Sequence, residues 1–188
     1  LEGLTWLKRD ELLNYEEIET IVRTMAGMGL RRVRITGGEP LIRRDLPDLI
    51  RKISAIPEIE DLSLSTNAVL LADQAQDLRD AGIQRLNISL DSLQQDRVDE
   101  IARRPGSFPK IFEGLEAAER VGFAPIKVNV VLIRGRNDDE IEDFARITKE
   151  RPWHVRFIEV MPTGSNLDLS ANSFVSCQEA LTRVRAID

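Results

Sequence analysis

The chain of 188 residues carries one cysteine, Cys177, and one histidine, His154. A single cysteine excludes an internal disulfide and any metal site resting on thiolates of this chain alone. With one histidine and one cysteine, no Ser-His-Asp or Cys-His constellation can be assembled. His154, beside Trp153, reads as a packed side chain rather than a base. No apolar run approaches membrane-spanning length and no segment has the pattern of a signal peptide, so the expected location is cytoplasmic. The chain also lacks excess positive charge: its formal net charge is −6. That argues against nonspecific partnership with nucleic acid or an anionic membrane, while leaving room for a local basic pocket. The first residue is Leu1 rather than methionine, so a fragment of a longer protein is expected.

What is present is ordinary globular composition, 42% hydrophobic and 31% charged, in a length that suits one domain. Strand and helix patterns alternate. Asn14 and Glu17 form a capping-box pattern ahead of Ile18, Ile21, Val22 and Met25 at helical spacing, and Gly27 and Gly29 close that helix. Alternating segments follow over 32–36, 61–67, 84–91, 126–133 and 154–161, separated by helical stripes such as Leu46, Leu49, Ile50 and Ile53. Asn137 and Glu140 suggest a second capping box. A last helix is expected over 177–186, after a loop over 162–170. Strands alternating with helices imply parallel pairing with right-handed crossovers.

Side-chain parity then selects the architecture. One face of the five strands carries Val33 and Ile35, Leu62 and Leu64, Leu86 and Ile88, Val128 and Val130, Val155 and Phe157. The other carries Arg34 and Thr36, Ser63 and Ser65, Asn87 and Ser89, Lys127 and Asn129, His154 and Arg156. A doubly wound sheet is covered by helices on both faces and should be apolar on both. One polar face on every strand suits an open or partial (β/α) barrel with a solvated lumen.

The chain is organised around residues 32–45, R-V-R-I-T-G-G-E-P-L-I-R-R-D. An alternating strand there ends in Gly37-Gly38, where no side chain obstructs a small molecule. Arg34, Lys127 and Arg156 place three cations in the lumen of an acidic protein. Such charges need a counter-charge, either a phosphate-bearing ligand or internal pairing with Asp91, Glu159 or Glu39. Ser65, Thr66, Asn67 and Ser89 add small polar groups near the C-terminal strand ends, where parallel α/β sheets bind ligands. These residues bind and orient, so a reactive centre would have to come from a cofactor.

The segments R-V-R-I-T-G-G-E-P-L-I-R-R-D-L, S-T-N-A-V-L-L, R-L-N-I-S-L-D-S-L, I-K-V-N-V-V-L-I-R-G-R-N-D-D-E and V-R-F-I-E-V-M-P-T-G occur in that order. In this the chain resembles the GTP 3′,8-cyclases (MoaA family) of molybdenum-cofactor biosynthesis, members of the radical S-adenosylmethionine (SAM) superfamily. The resemblance runs from about Glu11 to Ala180. It implies a partial (β/α)6 barrel over 1–165, with 166–188 beginning a C-terminal region. In that family a [4Fe–4S] cluster, fed by an electron donor, cleaves SAM to a radical that abstracts the 3′ hydrogen of GTP, and the ribose radical attacks C8 of guanine. Carried over by motif, Gly38, Ser89, Met161 and Glu39 would contact SAM, while Arg34, Ser65, Lys127 and Arg156 would hold GTP. Ser65 stands where the family usually has threonine, which keeps the hydroxyl.

The family's cluster cysteines have no counterpart here, so no metal ligand is assigned and Cys177 is expected to be an ordinary helix residue. The 188 residues alone are therefore expected to be inactive. The resemblance also implies a homodimer, and an isolated piece with an open barrel edge is expected to be less stable and prone to associate. Two other readings stay open. A radical SAM enzyme with another substrate would keep Gly38, Glu39 and Ser89 without needing the three cations. A nucleotide-binding module that had lost its cluster would bind without turnover.

Overall fold

The computed structural model describes residues 11–102, 105–161 and 173–187. The expected first capping box is present: the Asn14 side chain accepts from the Glu17 N–H, and Glu17 returns the bond to the Asn14 N–H, each at 2.8 Å. It opens α1 (Tyr15–Gly27), and Gly29, at φ +107°, turns the chain into β1 (Arg32–Ile35). A short 3-10 turn (Pro40–Ile42) leads to α2 (Leu46–Ser54), whose Leu46, Leu49, Ile50 and Ile53 are all buried, as their helical spacing predicts. Then come β2 (Asp61–Thr66), α3 (Ala75–Ala81), β3 (Arg85–Ser89), α4 (Gln95–Ala102) and α5 (Ser107–Arg120). The described chain ends with β4 (Ile126–Leu132), α6 (Ile141–Ile147), β5 (Trp153–Glu159) and α7 (Cys177–Arg185). The loop expected over 162–170 lies outside the described residues.

All five strands are parallel and lie in the order β1-β2-β3-β4-β5. Each crossover therefore advances one strand in the same direction. With right-handed connections this keeps the helices on one face, whereas a doubly wound sheet would reverse its order midway. The parity expectation holds on the apolar face, while on the polar face Arg34, Ser89 and His154 are exposed but Ser63 and Asn87 are buried. Leu62, Leu64, Leu86, Ile88, Val128 and Val130 are essentially inaccessible and form the core with the helices. Val33, Ile35, Val155 and Phe157 are half-buried because β1 and β5 are the sheet edges.

The second capping box does not form, although Asn137 and Glu140 are both buried. Asn137 Oδ1 accepts from the Ile133 N–H at 2.7 Å, and its Nδ2 donates to the carbonyls of Asp91 and Val131. Glu140 accepts from Ser92 Oγ at 2.7 Å, from the Leu93 N–H at 2.6 Å and from Arg97 at 2.7 Å. Both side chains thus reach across to the exit of β3 instead of closing their own helix. A buried hydroxyl and a half-buried backbone amide needing acceptors outweigh a local cap that water could replace.

Gly114 shows how closely α5 approaches the exit of β2. A Cβ there would sit 2.5 Å from the Ala68 carbonyl oxygen and 3.1 Å from Leu71 Cβ. Alanine in a helix interior normally stabilises by about 0.5–1 kcal/mol relative to glycine. At this position the backbone contact reverses the sign, and Gly114→Ala is expected to destabilise by about 1–3 kcal/mol. Thermal denaturation beside Gly27→Ala, where no described atom lies within 4 Å of the added Cβ, checks this. Equal melting temperatures for the two variants would refute it.

Candidate active site

The C-terminal end of β1 is held by a carboxylate. Glu39 Oε1 accepts from Thr66 Oγ1 at 2.7 Å and from the Leu41 N–H at 3.1 Å, while Oε2 accepts from the Asn67 N–H at 2.8 Å. The Gly37-Gly38-Glu39-Pro40 segment is thereby pinned to the exit of β2. No described atom lies within 4 Å of a Cβ built on Gly37 or Gly38, and neither has a positive φ. Neither crowding nor conformation within the described chain asks for glycine there, and the edge is open to close approach.

Ser89, at the exit of β3, is exposed and lines a cavity of about 330 Å³ with Asn67, Val69, Leu90, Asp91 and Ser107. Burial pushes the Asp91 carboxyl up, and its Oδ1 accepts from the Val131 N–H at 2.8 Å. Met161 follows β5 and is 69% exposed, so it is not a core residue. It stands at the opposite sheet edge from Gly38 and Glu39. A larger, mostly apolar cavity of about 480 Å³ lies between α6, α7 and β5 and contains none of the expected site residues.

The polar face gathers the cations. Register places Arg34 beside Ser63, Ser63 beside Arg85, Ser65 beside Asn87, and Asn87 beside Lys127. Arg156, beside Asn129, leans across to donate from Nη2 to Asn87 Oδ1 at 2.7 Å. Arg156 Nε and Asn129 Oδ1 are buried without a hydrogen-bond partner. Burial lowers the Lys127 pKa, and the charges of Arg85, Arg156 and Arg34 lower it further against a smaller opposing effect of Asp61. Burial followed by the charges of Arg34 and Arg85 lowers that of Arg156.

The three carboxylates expected as internal partners are engaged elsewhere. Asp91 bonds the β4 backbone, Glu159 accepts from the Cys177 N–H at 2.8 Å, and Glu39 bonds the β2 exit. Among the described residues, no carboxylate pairs with Arg34, Lys127 or Arg156. Asp61 is the carboxylate that reaches the cation cluster, and it pairs with Arg85.

Arg85 was not among the expected site residues, although parity marks it: it lies two positions before Asn87 and four before Ser89 on the same strand face. His154 is a correction. It is exposed, in register with Lys127, rather than packed. Cys177 is the first residue of α7 and exposed, with its thiol 3.7 Å from the Phe157 carbonyl oxygen.

Two cofactor fits can be judged from these contacts. The bare Gly37-Gly38 edge and the Ser89 cavity suit a small ligand such as SAM at the C-terminal strand ends. An iron–sulfur cluster is not matched: among the described residues no group of His, Cys, Asp or Glu could hold a metal ion.

The sheet order and this site define a class of protein. Residues 5–147 match the Radical SAM superfamily, and the chain belongs to it. Its relatives are more particular. The GTP 3′,8-cyclase of Listeria monocytogenes is 52% identical over 163 residues, 87% of this chain and 49% of that protein. That of Pelotomaculum thermopropionicum is 45% identical over 185 residues, 98% of this chain and 57% of that protein. The chain therefore spans about half the length of the curated relatives it matches. Among solved structures, HydG, a maturase of the [FeFe]-hydrogenase, superposes with a TM-score of 0.71 at 16% identity, over 97% of this chain and 44% of that one. That likeness concerns the fold, a radical SAM partial barrel. No helix among the described residues is long and apolar enough to cross a membrane.

The like charges around Lys127 give a pH dependence. A lysine whose folded pKa is depressed binds its proton less readily in the fold than in the unfolded chain, so its charge opposes folding below the folded pKa. That opposition is relieved as pH rises through the window ending at the ordinary value of 10.5. A bound polyanion reverses the preference by favouring the charged form. Affinity for a polyanion such as inorganic tripolyphosphate is therefore expected to fall as pH rises through the depressed Lys127 pKa, and Lys127→Arg to remove the fall. Titration calorimetry from neutral pH to pH ~10 checks this, and an equal decline in wild type and Lys127→Arg would refute it.

Proposed function

We propose that this chain is the central barrel of a GTP 3′,8-cyclase, which converts GTP to 3′,8-cyclo-7,8-dihydro-GTP in molybdenum-cofactor biosynthesis. The observation that carries the reading is the cation cluster: Arg34, Arg85, Lys127 and Arg156 lie on one face of the sheet, and among the described residues Asp61 is the carboxylate that pairs with one of them. A triphosphate supplies the missing counter-charge through charge-assisted hydrogen bonds. The identity to named GTP 3′,8-cyclases supports the same substrate.

In this reading Arg34, Lys127 and Arg156 hold the triphosphate, and the Ser65 hydroxyl adds a neutral contact. Gly38 admits SAM against the backbone, Ser89 offers it a hydroxyl, and Met161 contributes an apolar surface toward its adenine. Glu39 fixes the glycine edge through its three bonds to the backbone and Thr66, and its remaining lone pairs would be available to the SAM amino group. A [4Fe–4S] cluster with SAM, when bound, supplies the radical chemistry. The one thiol of this chain, Cys177, takes no part in holding it. The 188 residues alone are accordingly expected to bind without turning over. A homodimer and an external electron donor belong to the same reading.

The test uses the complete gene product, reconstituted anaerobically with iron and sulfide and given SAM, a reductant and GTP. Appearance of 5′-deoxyadenosine together with a cyclised GTP product supports the proposal. SAM cleavage with GTP untouched would assign another substrate, and neither product would leave a binding module.

A further inference from the structure

The sheet register puts Arg85 inside the cation cluster rather than beside it. Arg34 and Arg85 flank Ser63 on either side, so their Cα atoms are two strand spacings, about 10 Å, apart. Lys127 is in register with Asn87, two residues further along β3 than Arg85, about 7 Å toward the C-terminal strand ends. Arg85 thus lies between Arg34 and Lys127 in strand order and, level with Arg34, at the N-terminal side of the arc. Its charge acts on both Lys127 and Arg156.

One nitrogen of Arg85, Nη2, donates to Asp61 Oδ2, and its other donors have no partner among the described residues. Arg85 is 43% exposed at its side chain while Asp61 is 17% exposed. The accessible member of the pair is therefore the cation. An arc of this span exceeds a single phosphate and matches an extended polyphosphate. The buried, unpartnered Arg156 Nε and Asn129 Oδ1 lie on the same face. They are an independent sign that the arc is built for a polar ligand.

We propose that Arg85 is a further phosphate-binding residue of the lumen, held ready by Asp61 and recruited by the polyphosphate chain of a nucleoside triphosphate. The inference deepens the phosphate reading of the lumen and rests on it. Asp61 keeps the guanidinium oriented without saturating it, and the ligand competes with Asp61 for that cation. Arg85 then makes the site sensitive to the number of phosphates, because a nucleoside monophosphate is too short to engage the whole arc.

The experiment is titration calorimetry of the complete gene product with GTP, GMP and inorganic tripolyphosphate, with a melting curve for each variant. Arg85→Gln is expected to weaken GTP and tripolyphosphate about tenfold and to leave GMP unchanged. Arg85→Lys should recover part of the loss, since it keeps the charge but not the fork. Asp61→Asn should strengthen tripolyphosphate binding, because the competitor for Arg85 has lost its charge. Unchanged tripolyphosphate affinity in Arg85→Gln overturns the proposal. So does Asp61→Asn weakening the anion as much as Arg85→Gln, since the pair would then be a structural brace. Wild-type protein that binds neither GTP nor tripolyphosphate overturns the phosphate reading of the lumen itself, a different result from wild-type binding that Arg85→Gln leaves intact.

Discussion

In the proposed cyclase, Lys127→Ala in the complete gene product is expected to lower kcat/KM for GTP cyclisation about 100-fold while leaving the fold intact. A charge-assisted hydrogen bond to phosphate is worth about 1.5–3 kcal/mol, and each 1.4 kcal/mol is a factor of ten. Lys127 stands at the centre of the cation cluster, in register with Asn87 and His154, so its loss also removes the central charge of the cluster. Stability should move the other way. The fold already disfavours the charged form of Lys127, through burial and through Arg85, Arg156 and Arg34. Removing it relieves that repulsion, and the melting temperature should stay level or rise. A binding residue that costs stability is a common trade at functional sites. Kinetics and a melting curve on the same preparation check both halves. Full activity in Lys127→Ala would remove the phosphate role, and a large fall in melting temperature would recast Lys127 as a structural residue.

Glu140→Ala is the largest stability effect expected. Glu140 is 2% exposed and accepts from Ser92 Oγ, the Leu93 N–H and Arg97. Alanine leaves the buried Ser92 hydroxyl only its 3.5 Å contact with the Gln94 carbonyl, leaves the half-buried Leu93 N–H without an acceptor and strips Arg97 of one of its two carboxylates. A loss of about 3 kcal/mol is expected, or about 6–12 °C in melting temperature for a domain of this size. The consequence reaches the site, because Ser92 and Leu93 follow directly on the segment that lines the Ser89 cavity. In the proposed reading, SAM affinity should therefore fall with stability. Glu140→Ala that melts within ~1 °C of wild type would show that the Ser92–Leu93 turn holds itself.

Much of the architecture was legible from periodicity. Two-residue alternation placed all five strands within two residues of their observed ends, and the stripe of Leu46, Leu49, Ile50 and Ile53 identified α2 and its buried face. Parity on the strands was more informative than any single residue. It separated the apolar face from the polar one and so pointed to a barrel before any pairing was known, and the sequential strand order agrees. Where reading failed, a long-range contact had outbid a local one. Asn137 and Glu140 have the spacing of a capping box, yet both serve the β3 exit. His154 has a tryptophan neighbour in sequence, but alternate residues of a strand face opposite ways, and it lies with Lys127 on the exposed polar side.

What the sequence determined by itself was the set of strands, the two faces of the sheet and the residue types lining the lumen, because those follow from a period of two along a short segment. What only the tertiary structure decided was which charges meet. Arg85 and Asp61 are 24 residues apart in the chain, and Arg156 and Asn87 are 69 apart. Their partnership depends on strand register and strand order, which no local pattern encodes. The same holds for Asp91, Glu159 and Glu39, which sequence offers as counter-charges for the lumen and the fold commits to backbone N–H groups elsewhere. The fold brings those carboxylates within reach of backbone N–H groups at or beyond the strand exits, so none of the three pairs with Arg34, Lys127 or Arg156 among the described residues.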